Sequence, residues 1–473
     1  SPVLASTRRG FVLGSGAGLV LGFSLPGLAQ AANAAQGQTG TAFQPNAWLR
    51  ITPDDRITVI CGSSEMGQGV LTAIPMLMAE ELDADWKQVH VEQAPVDQAF
   101  ANPAFGMQAT GGSTTVRGHW QVMRQAGATA RAMLVAAAAE AWKTMPDQCR
   151  TQAGHVLHAS GKKLSYGALA SAAAKQTPPA KVALKDPKDF KILGQPLKRL
   201  DTPSKVNGSA KYGIDVQLPG MLVAVMARAP LPGVKPAKVD DSKAKAVAGV
   251  KAVITLPSGV AVLATGYWAA KKGRDALVVD WDFGDKKGFN SAQVSAMLSD
   301  GASAPGAASA KAQGNAADGL AAAATRVSAT YEAPYLAHAC MEPMNCTAWV
   351  QGQGADAQVE VWAGTQSQGP VQGILSQVAS VQPAKVKVNT MMLGGGFGRR
   401  FAPDFVIDAT LLSKISGAPV KLIYSREDDM AAGFYRPASV AKFTAGLDGS
   451  GTLIALQAGV ASPSIMAASG FMK

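Results

Sequence analysis

The chain has 473 residues, enough for two to four domains at roughly 150 residues each, so a single small module is excluded. Hydrophobic residues make up 47% and charged residues 16%, too apolar for a disordered protein and, past the N-terminal stretch, too interrupted for a polytopic membrane protein. The net charge of +11 suits an acidic partner, anionic headgroups or a phosphate-bearing cofactor, without choosing among them.

No Lys/Arg run interleaved with aromatics and no zinc-finger spacing is present, so the footprint of a nucleic-acid binder is missing. Cys61, Cys149, Cys340 and Cys346 contain no C-x-x-C pair, so local spacing builds neither a zinc site nor an iron–sulfur cluster. Cys340 and Cys346 are near enough to be joined in an oxidising compartment, although buried free thiols are the plainer reading. At the N-terminus, Thr7-Arg8-Arg9-Gly10-Phe11 precedes an apolar stretch to Leu25 and small-residue sites near Ala29–Ala34. This pattern over 1–34 reads as a twin-arginine signal, cleaved or kept as a membrane anchor, with a Sec signal or buried helix as the alternatives. A protein exported already folded is often one that receives a complex cofactor in the cytoplasm, so the pattern favours a redox enzyme.

In chain order, alternation from Trp48 to Ile60 around Pro53-Asp54-Asp55 predicts a β-hairpin. Leu71, Ile74, Leu77, Met78 and Leu82 predict a helix capped by Thr72, with Pro75 in its first turn. Alanine-rich Thr115–Trp142 predicts a longer helix, and 178–202 reads as a connector. Short strands are expected at Tyr212–Val216, Met221–Arg228, Lys251–Leu256, Val260–Thr265 and Ala276–Trp281. Low-complexity 300–325 reads as a linker or mobile loop. Strands at Val359–Trp362, Val386–Met391 and Val420–Tyr424 then alternate with helices at Val371–Ala379 and Phe405–Ile415. The fold class is α+β: α/β portions flanking a strand-rich insert.

Three glycine-rich turns stand out, since glycine brings backbone amides close to a ligand and accepts positive φ. They are Gly62-Ser63-Ser64-Glu65-Met66-Gly67-Gln68-Gly69, Thr110-Gly111-Gly112-Ser113-Thr114-Thr115 and Gly394-Gly395-Gly396-Phe397-Gly398-Arg399-Arg400. Each offers N–H donors near a helix start, suited to an oxyanion. A dinucleotide fingerprint fails because Arg399 stands where a glycine is required, and no Gly-Lys-Ser/Thr completes a Walker loop. Three anion-ready turns without a nucleotide-fold signature suggest a pterin-type cofactor with a diphosphate tail.

From Trp48 onward, the chain resembles the molybdenum-binding large subunits of the xanthine dehydrogenase and aldehyde oxidase family. The resemblance rests on Glu65-Met66-Gly67-Gln68-Gly69, Thr365-Gln366, Gly394-Gly395-Gly396-Phe397-Gly398 and the stretch from Gly208 to Leu222, which is similar to the family's hammerhead domain. Most members carry the Met-Gly-Gln-Gly segment after Gly-Gly-Gly-Phe-Gly. The reverse order here resembles the subgroup of isoquinoline oxidoreductase, nicotinate dehydrogenase and the aldehyde dehydrogenases of acetic acid bacteria, commonly exported proteins.

The resemblance implies molybdopterin-binding portions at 45–177 and 328–473, the latter C-terminally incomplete, and a hammerhead-type α/β domain at 203–290. It implies that Gln366 hydrogen-bonds an oxo ligand of molybdenum, that Phe397 and Gly398 flank the metal, and that the Gly398 amide faces an oxygen ligand. Met66, Gly67, Gln68 and Gly69 would surround the pterin and its phosphates. Gly111, Gly112, Ser113, Thr114 and Thr115 would form a second phosphate loop, with Gly395, Gly396 and Arg399 also at the cofactor. The metal would have no direct protein ligand, since the pterin supplies them. His155, His158, His338 and Glu342 read as structural.

The family's catalytic glutamate lies in a Gly-Glu segment that is not matched before Lys473. Leu447–Gly451 reads as a turn and Glu427 as part of a solvated loop, so the sequence resembles the N-terminal portion of a longer subunit. Purine-oxidising members carry a glutamate where Phe401 stands, which favours an aldehyde or an apolar heteroaromatic. The implied activity is periplasmic aldehyde oxidation at the inner membrane, with water as oxygen source and a molybdenum cofactor in its cytosine dinucleotide form. Electrons would pass to a [2Fe–2S] small subunit, a haem-bearing cytochrome c subunit and membrane quinone. N-heterocycle hydroxylation and a catalytically silent scaffold are the alternatives.

Overall fold

The computed structural model describes residues 19–22 and 47–465. Apart from Leu19–Gly22, the expected signal or anchor over 1–34 lies outside the described residues. The chain divides into two units, one built from Ser1–Leu222 and Asn345–Leu422, the other from Val223–Met344 and Ile423–Lys473.

In the first unit, β1 (Leu19–Gly22), β2 (Ala47–Ile51), β3 (Ile57–Cys61) and β4 (Val89–Gln93) form a sheet in that order. The predicted hairpin is β2–β3, in antiparallel register Leu49 with Val59. β3 and β4 run parallel and so need a crossover, which is α1 (Val70–Leu82). This helix is buried on nearly every side because it lies between the sheet and α2 (Thr115–Trp142). The two helices approach closely at Gly127, where a Cβ would stand 2.4 Å from the Met78 carbonyl oxygen. α1 starts ahead of the predicted cap: Gly69, at φ 89°, precedes it. The Thr72 hydroxyl instead accepts the Leu200 amide at 3.0 Å. Pro75 falls in the second turn, where it has no N–H for the Leu71 carbonyl.

A second crossover of the same kind follows. β5 (Asn345–Gln351), β6 (Gln358–Ala363), β7 (Val386–Thr390) and β8 (Val420–Ile423) stand in the order β8-β5-β6-β7. β6 and β7 are parallel and are joined through α3 (Gln368–Ala379), which packs beside α4 (Asp404–Ser416).

The connector at 178–202 is held far more tightly than its composition suggests. The buried Glu80 carboxylate accepts the amides of Lys191, Ile192 and Leu193 at 2.9, 2.6 and 3.0 Å and the Lys185 ammonium at 2.9 Å. Glu81, also buried, takes the Lys185 amide at 3.1 Å and the Arg124 guanidinium at 2.7 Å. Burial opposes the charge on Glu80, yet these hydrogen bonds outweigh it and keep the carboxyl below its ordinary range. The segment is thus a strap pinned along α1.

In the second unit, Leu222–Arg228, Gly259–Ala264 and Val250–Leu256 pair antiparallel, with helix Tyr267–Asp275 against them. Lys235–Asp240 and Val278–Asp282 form a ribbon. A further sheet joins Thr325–Ala333, Ser439–Leu447 and Leu453–Ala461. Three further expectations change. Tyr212–Val216, in the first unit, is no strand: Gly213–Asp215 makes a 3-10 turn closed by the Asp215 carboxylate on the Tyr212 amide. The low-complexity stretch 300–325 contains the helix Ala316–Ala322, capped by Asn315 and packed on the sheet where Gly319 meets Ala455. Glu427 lies not in a loop but in the helix Arg426–Ala431, which Ser425 and Asp428 start as a capping box. Among the described residues no helix is long and apolar enough to cross a membrane.

Replacing Glu80 by alanine leaves the strap amides and Lys185 without their buried partner. The change is expected to cost about 3–5 kcal/mol, read as a lower denaturant midpoint, with earlier proteolytic cleavage between 185 and 193.

Candidate functional site

Ligands of open α/β sheets bind outside the carboxyl ends of parallel strands, and all three glycine turns leave such ends. Residues 62–69 follow β3, 94–114 follow β4, 364–367 follow β6 and 391–403 follow β7. These loops are joined to one another. The Ser64 amide donates to Thr110 Oγ1 at 2.9 Å and the Ser64 hydroxyl to the Thr365 carbonyl at 2.7 Å. Gln368 Nε2 reaches the Gly62 carbonyl at 2.9 Å. The Thr110 amide donates to the Gln366 carbonyl at 2.7 Å, while Gln366 Nε2 returns a bond to the Thr110 carbonyl at 3.0 Å. The Leu393 amide reaches the Glu65 carbonyl and the Gln366 amide the Arg400 carbonyl, both at 3.0 Å.

Gln366 is the hub. It is 4% exposed, and its Oε1 accepts the Gly398 amide at 3.1 Å. The Gly398 amide expected to face an oxygen ligand is therefore engaged within the chain. Gln366 Nε2 retains a second N–H, for which the described residues offer no partner. Gly396 forms a cradle that only glycine leaves open: a Cβ would stand 2.7 Å from Met66 Sδ and 2.8 Å from Gln366 Oε1. Phe397 is held at φ 53° and is 69% exposed, an unusual conformation for a bulky residue that displays its ring. Arg399 is not displayed. It is buried, and both terminal nitrogens bind Asp404 at 2.8 Å, so the fold takes the charge that the resemblance assigned to the cofactor. Arg400, also buried, braces the turn through the Gly395 and Gly364 carbonyls.

The first turn is occupied by a residue of the chain. The Glu65 carboxylate accepts the amides of Gly67 at 2.8 Å, Gly69 at 3.1 Å and Leu71 at 3.1 Å. It therefore fills the anion seat at the start of α1. Arg199 reaches the same carboxylate at 3.0 Å. Gln68 closes the turn on itself, accepting the Met66 amide at 2.8 Å and donating to the Ser64 carbonyl at 2.9 Å. The amides of 66–69 expected at the phosphates are accordingly spent, apart from that of Gln68, and Met66 is what the turn presents to Gly396.

The second turn remains open. Gly112 and Ser113 are left-handed at φ 56° and 53° and exposed, and the amides of Gly111, Gly112, Ser113 and Thr115 make no hydrogen bond among the described residues. The Thr114 hydroxyl is structural, donating to the Gly111 carbonyl at 2.8 Å and accepting from Asn102 at 2.7 Å. The Phe401 ring lies 3.8 Å from the Cβ position of Gly111. Among the described residues no three His, Cys, Asp or Glu gather as a metal site. The site thus offers uncommitted amides, one side-chain amide and a glycine cradle. This donor set fits a group held by hydrogen bonds through a phosphate tail and shape rather than by protein–metal bonds.

Two molybdopterin cofactor-binding domain models match the chain, one at residues 5–215 and the other at 302–464. Together they cover most of the chain, and the chain therefore belongs to the molybdopterin cofactor-binding family. It is 35% identical to the beta subunit of isoquinoline 1-oxidoreductase from Brevundimonas diminuta, over 90% of this chain and 60% of that protein. It is 34% identical to the membrane-bound aldehyde dehydrogenase [pyrroloquinoline-quinone] of Gluconacetobacter polyoxogenes, over 99% of this chain and 62% of that one. The chain thus spans less than two thirds of either relative. Among solved structures, aldehyde oxidoreductase from Desulfovibrio gigas is similar at 17% identity and TM-score 0.45, over 62% of this chain and 37% of that chain.

Sequence reasoning quoted Ser64 and Thr110 within the glycine turns without giving them a role, and missed Gln368, Asn102 and the Arg199–Asp201–Lys205 cluster. Only Glu65, two residues before the Gly67-Gln68-Gly69 turn, carried a local signal, as a carboxylate that a helix start attracts.

Gly396→Ala forces Met66 and Gln366 apart and is expected to lower bound pterin severalfold while soluble yield holds, measured by released-pterin fluorescence per mole of protein. Burial works to raise the Asp201 pKa, but the hydrogen bonds from Arg199 and Lys205 outweigh it and bring it from 3.8 to about 2. A lowered pKa gives stability that is present above 3.8 and is lost as pH falls through about 2. Acid-unfolding curves of wild type and Asp201→Asn should therefore be separated above that window and converge within it.

Proposed function

We propose that the chain is the molybdenum cofactor-binding subunit of an exported, membrane-associated aldehyde dehydrogenase. The observation that carries this reading is the meeting of three glycine turns around Gln366, with the amides at 111–113 open for a phosphate tail. When bound, the molybdenum cofactor supplies oxygen transfer from water and takes up the two electrons of each aldehyde oxidation. The chain's own residues bind and orient. Backbone amides of Gly111, Gly112 and Ser113 would hold the phosphates, the spare Gln366 N–H would donate to the group, and Gly396 and Met66 would shape its seat. Phe397 and Phe401 present apolar surface, which favours a small carbonyl substrate over a purine that needs a polar anchor.

Electrons leave through separate [2Fe–2S] and cytochrome c subunits toward quinone. The isoquinoline relative is itself a beta subunit, which supports separate partners. The twin-arginine pattern supports the periplasmic face of the inner membrane, and the cytosine dinucleotide form rests on the family resemblance. The similarity to isoquinoline 1-oxidoreductase supports N-heterocycle hydroxylation as the second reading.

The test is purification with partner subunits, followed by metal analysis, pterin and quinone detection, and aldehyde-dependent reduction of an artificial acceptor. Molybdenum, pterin and aldehyde turnover are expected. Bound pyrroloquinoline quinone without molybdenum would overturn the reading, and turnover of quinoline-type rings but not aldehydes would establish the second. In that preparation Gln366→Ala should cut turnover at least tenfold. Its stability cost should stay at about 1–3 kcal/mol, because the Gly398 amide and Thr110 carbonyl lose a buried partner.

A further inference from the structure

The strap from 185 to 205 holds both ends of α1. Its first half is bound by Glu80 and Glu81 at the helix C-terminus. Its second half returns to the helix start, where the Leu200 amide meets Thr72 and the Arg199 guanidinium spans three groups. Arg199 donates to the Gly67 carbonyl at 2.9 Å, to Glu65 at 3.0 Å and to both Asp201 oxygens at 2.7 and 3.0 Å. Lys205 lies 3.6 Å from Glu65 and also binds Asp201. Two cations thus face two carboxylates, and both acid side chains are 1% exposed. A Gly-x-Gly turn leading into a helix is the usual seat of a phosphate, yet here the seat holds a carboxylate fastened from a segment more than 130 residues away.

We propose that Glu65 is a positioning residue that serves as a built-in anion. It replaces phosphate in the first glycine turn, and Arg199 and Lys205 lock it there, so that Met66 is set against Gly396 before any ligand arrives. The phosphate tail is thereby left to the second turn alone. This inference rests on the reading that these loops hold the cofactor, but its central claim concerns the turn itself. A preformed turn needs no ordering when the cofactor enters, and that saving in conformational entropy appears as retention.

The experiment uses the full chain as wild type, Glu65→Ala and Glu65→Gln. Thermal melting is followed while sodium formate or inorganic phosphate is raised against matched chloride. Glu65→Ala should melt lower than wild type and recover with formate or phosphate, because the vacated amides and Arg199 accept an added anion. Wild type can take an added anion only at sites such as the open second turn, so its shift should be severalfold smaller than that of Glu65→Ala. In Glu65→Gln, which keeps the shape and loses the charge, amide hydrogen exchange over 66–71 should quicken at least tenfold while that of α2 stays unchanged. Expressed with partner subunits, Glu65→Gln should retain several times less pterin than wild type. Absence of anion-specific recovery in Glu65→Ala beyond the wild-type shift overturns the proposal. If Glu65→Ala yields no folded protein, unchanged exchange over 66–71 in Glu65→Gln overturns it equally. A wild type without pterin but with anion recovery in Glu65→Ala would overturn the cofactor reading and leave the internal anion standing.

Discussion

The reciprocal bonds between Thr110 and Gln366, amide to carbonyl in one direction and side-chain amide to carbonyl in the other, are what the rest of the site depends on. Through them the loop after β4 and the loop after β6 become one surface. Ser64 adds the loop after β3, and Gly398 adds the loop after β7. Each bond is worth only ~1 kcal/mol net, but the groups are buried, so breaking one leaves others unsatisfied and the network holds or fails together. The two parallel crossovers explain why this is possible. They deliver their loops from strand carboxyl ends, and the polar backbone gathered there has no sheet partner left to bind.

Charge is distributed against first expectation. The chain carries 44 basic residues against 33 acidic, yet the arginines that touch the first and third glycine turns are committed inside the fold. Arg399 is paired with Asp404, Arg400 with carbonyl oxygens, and Arg199 with Glu65 and Asp201. What these turns themselves offer an anion is therefore backbone N–H, whose direction is fixed by the loop, with Arg117 exposed just past the second turn. Backbone donors suit a ligand that must be held in one orientation, since they have no rotamer freedom to lose.

The long helix α2 was legible to the residue because alanine content and apolar spacing agree over seven turns, and the β2–β3 hairpin because alternation and turn residues agree. The glycine turns were legible because glycine at a strand-to-helix junction is a local signal. What fills them was not. Glu65 and the amides it binds are neighbours in sequence, but Arg199 stands 134 positions away, and nothing local marks the 185–205 strap as more than a polar connector. Composition misled at 300–325, where Asn315 and a few alanines suffice for a helix once a sheet lies beneath them. At 425–429, acidic residues suggested solvent, although Ser425 with Asp428 is itself a start signal for a helix.

The resemblance implies that the glycine segments stand in the reverse of the order most members carry, and the architecture accommodates either order. β3–α1–β4 and β6–α3–β7 each complete their own crossover, and the loops they contribute meet only through hydrogen bonds across strand ends. No covalent path between the two halves takes part in the geometry at Gln366. Whichever half is translated first, the same atoms arrive at the same place, so the gene can be rearranged at the connection without the pocket registering the change.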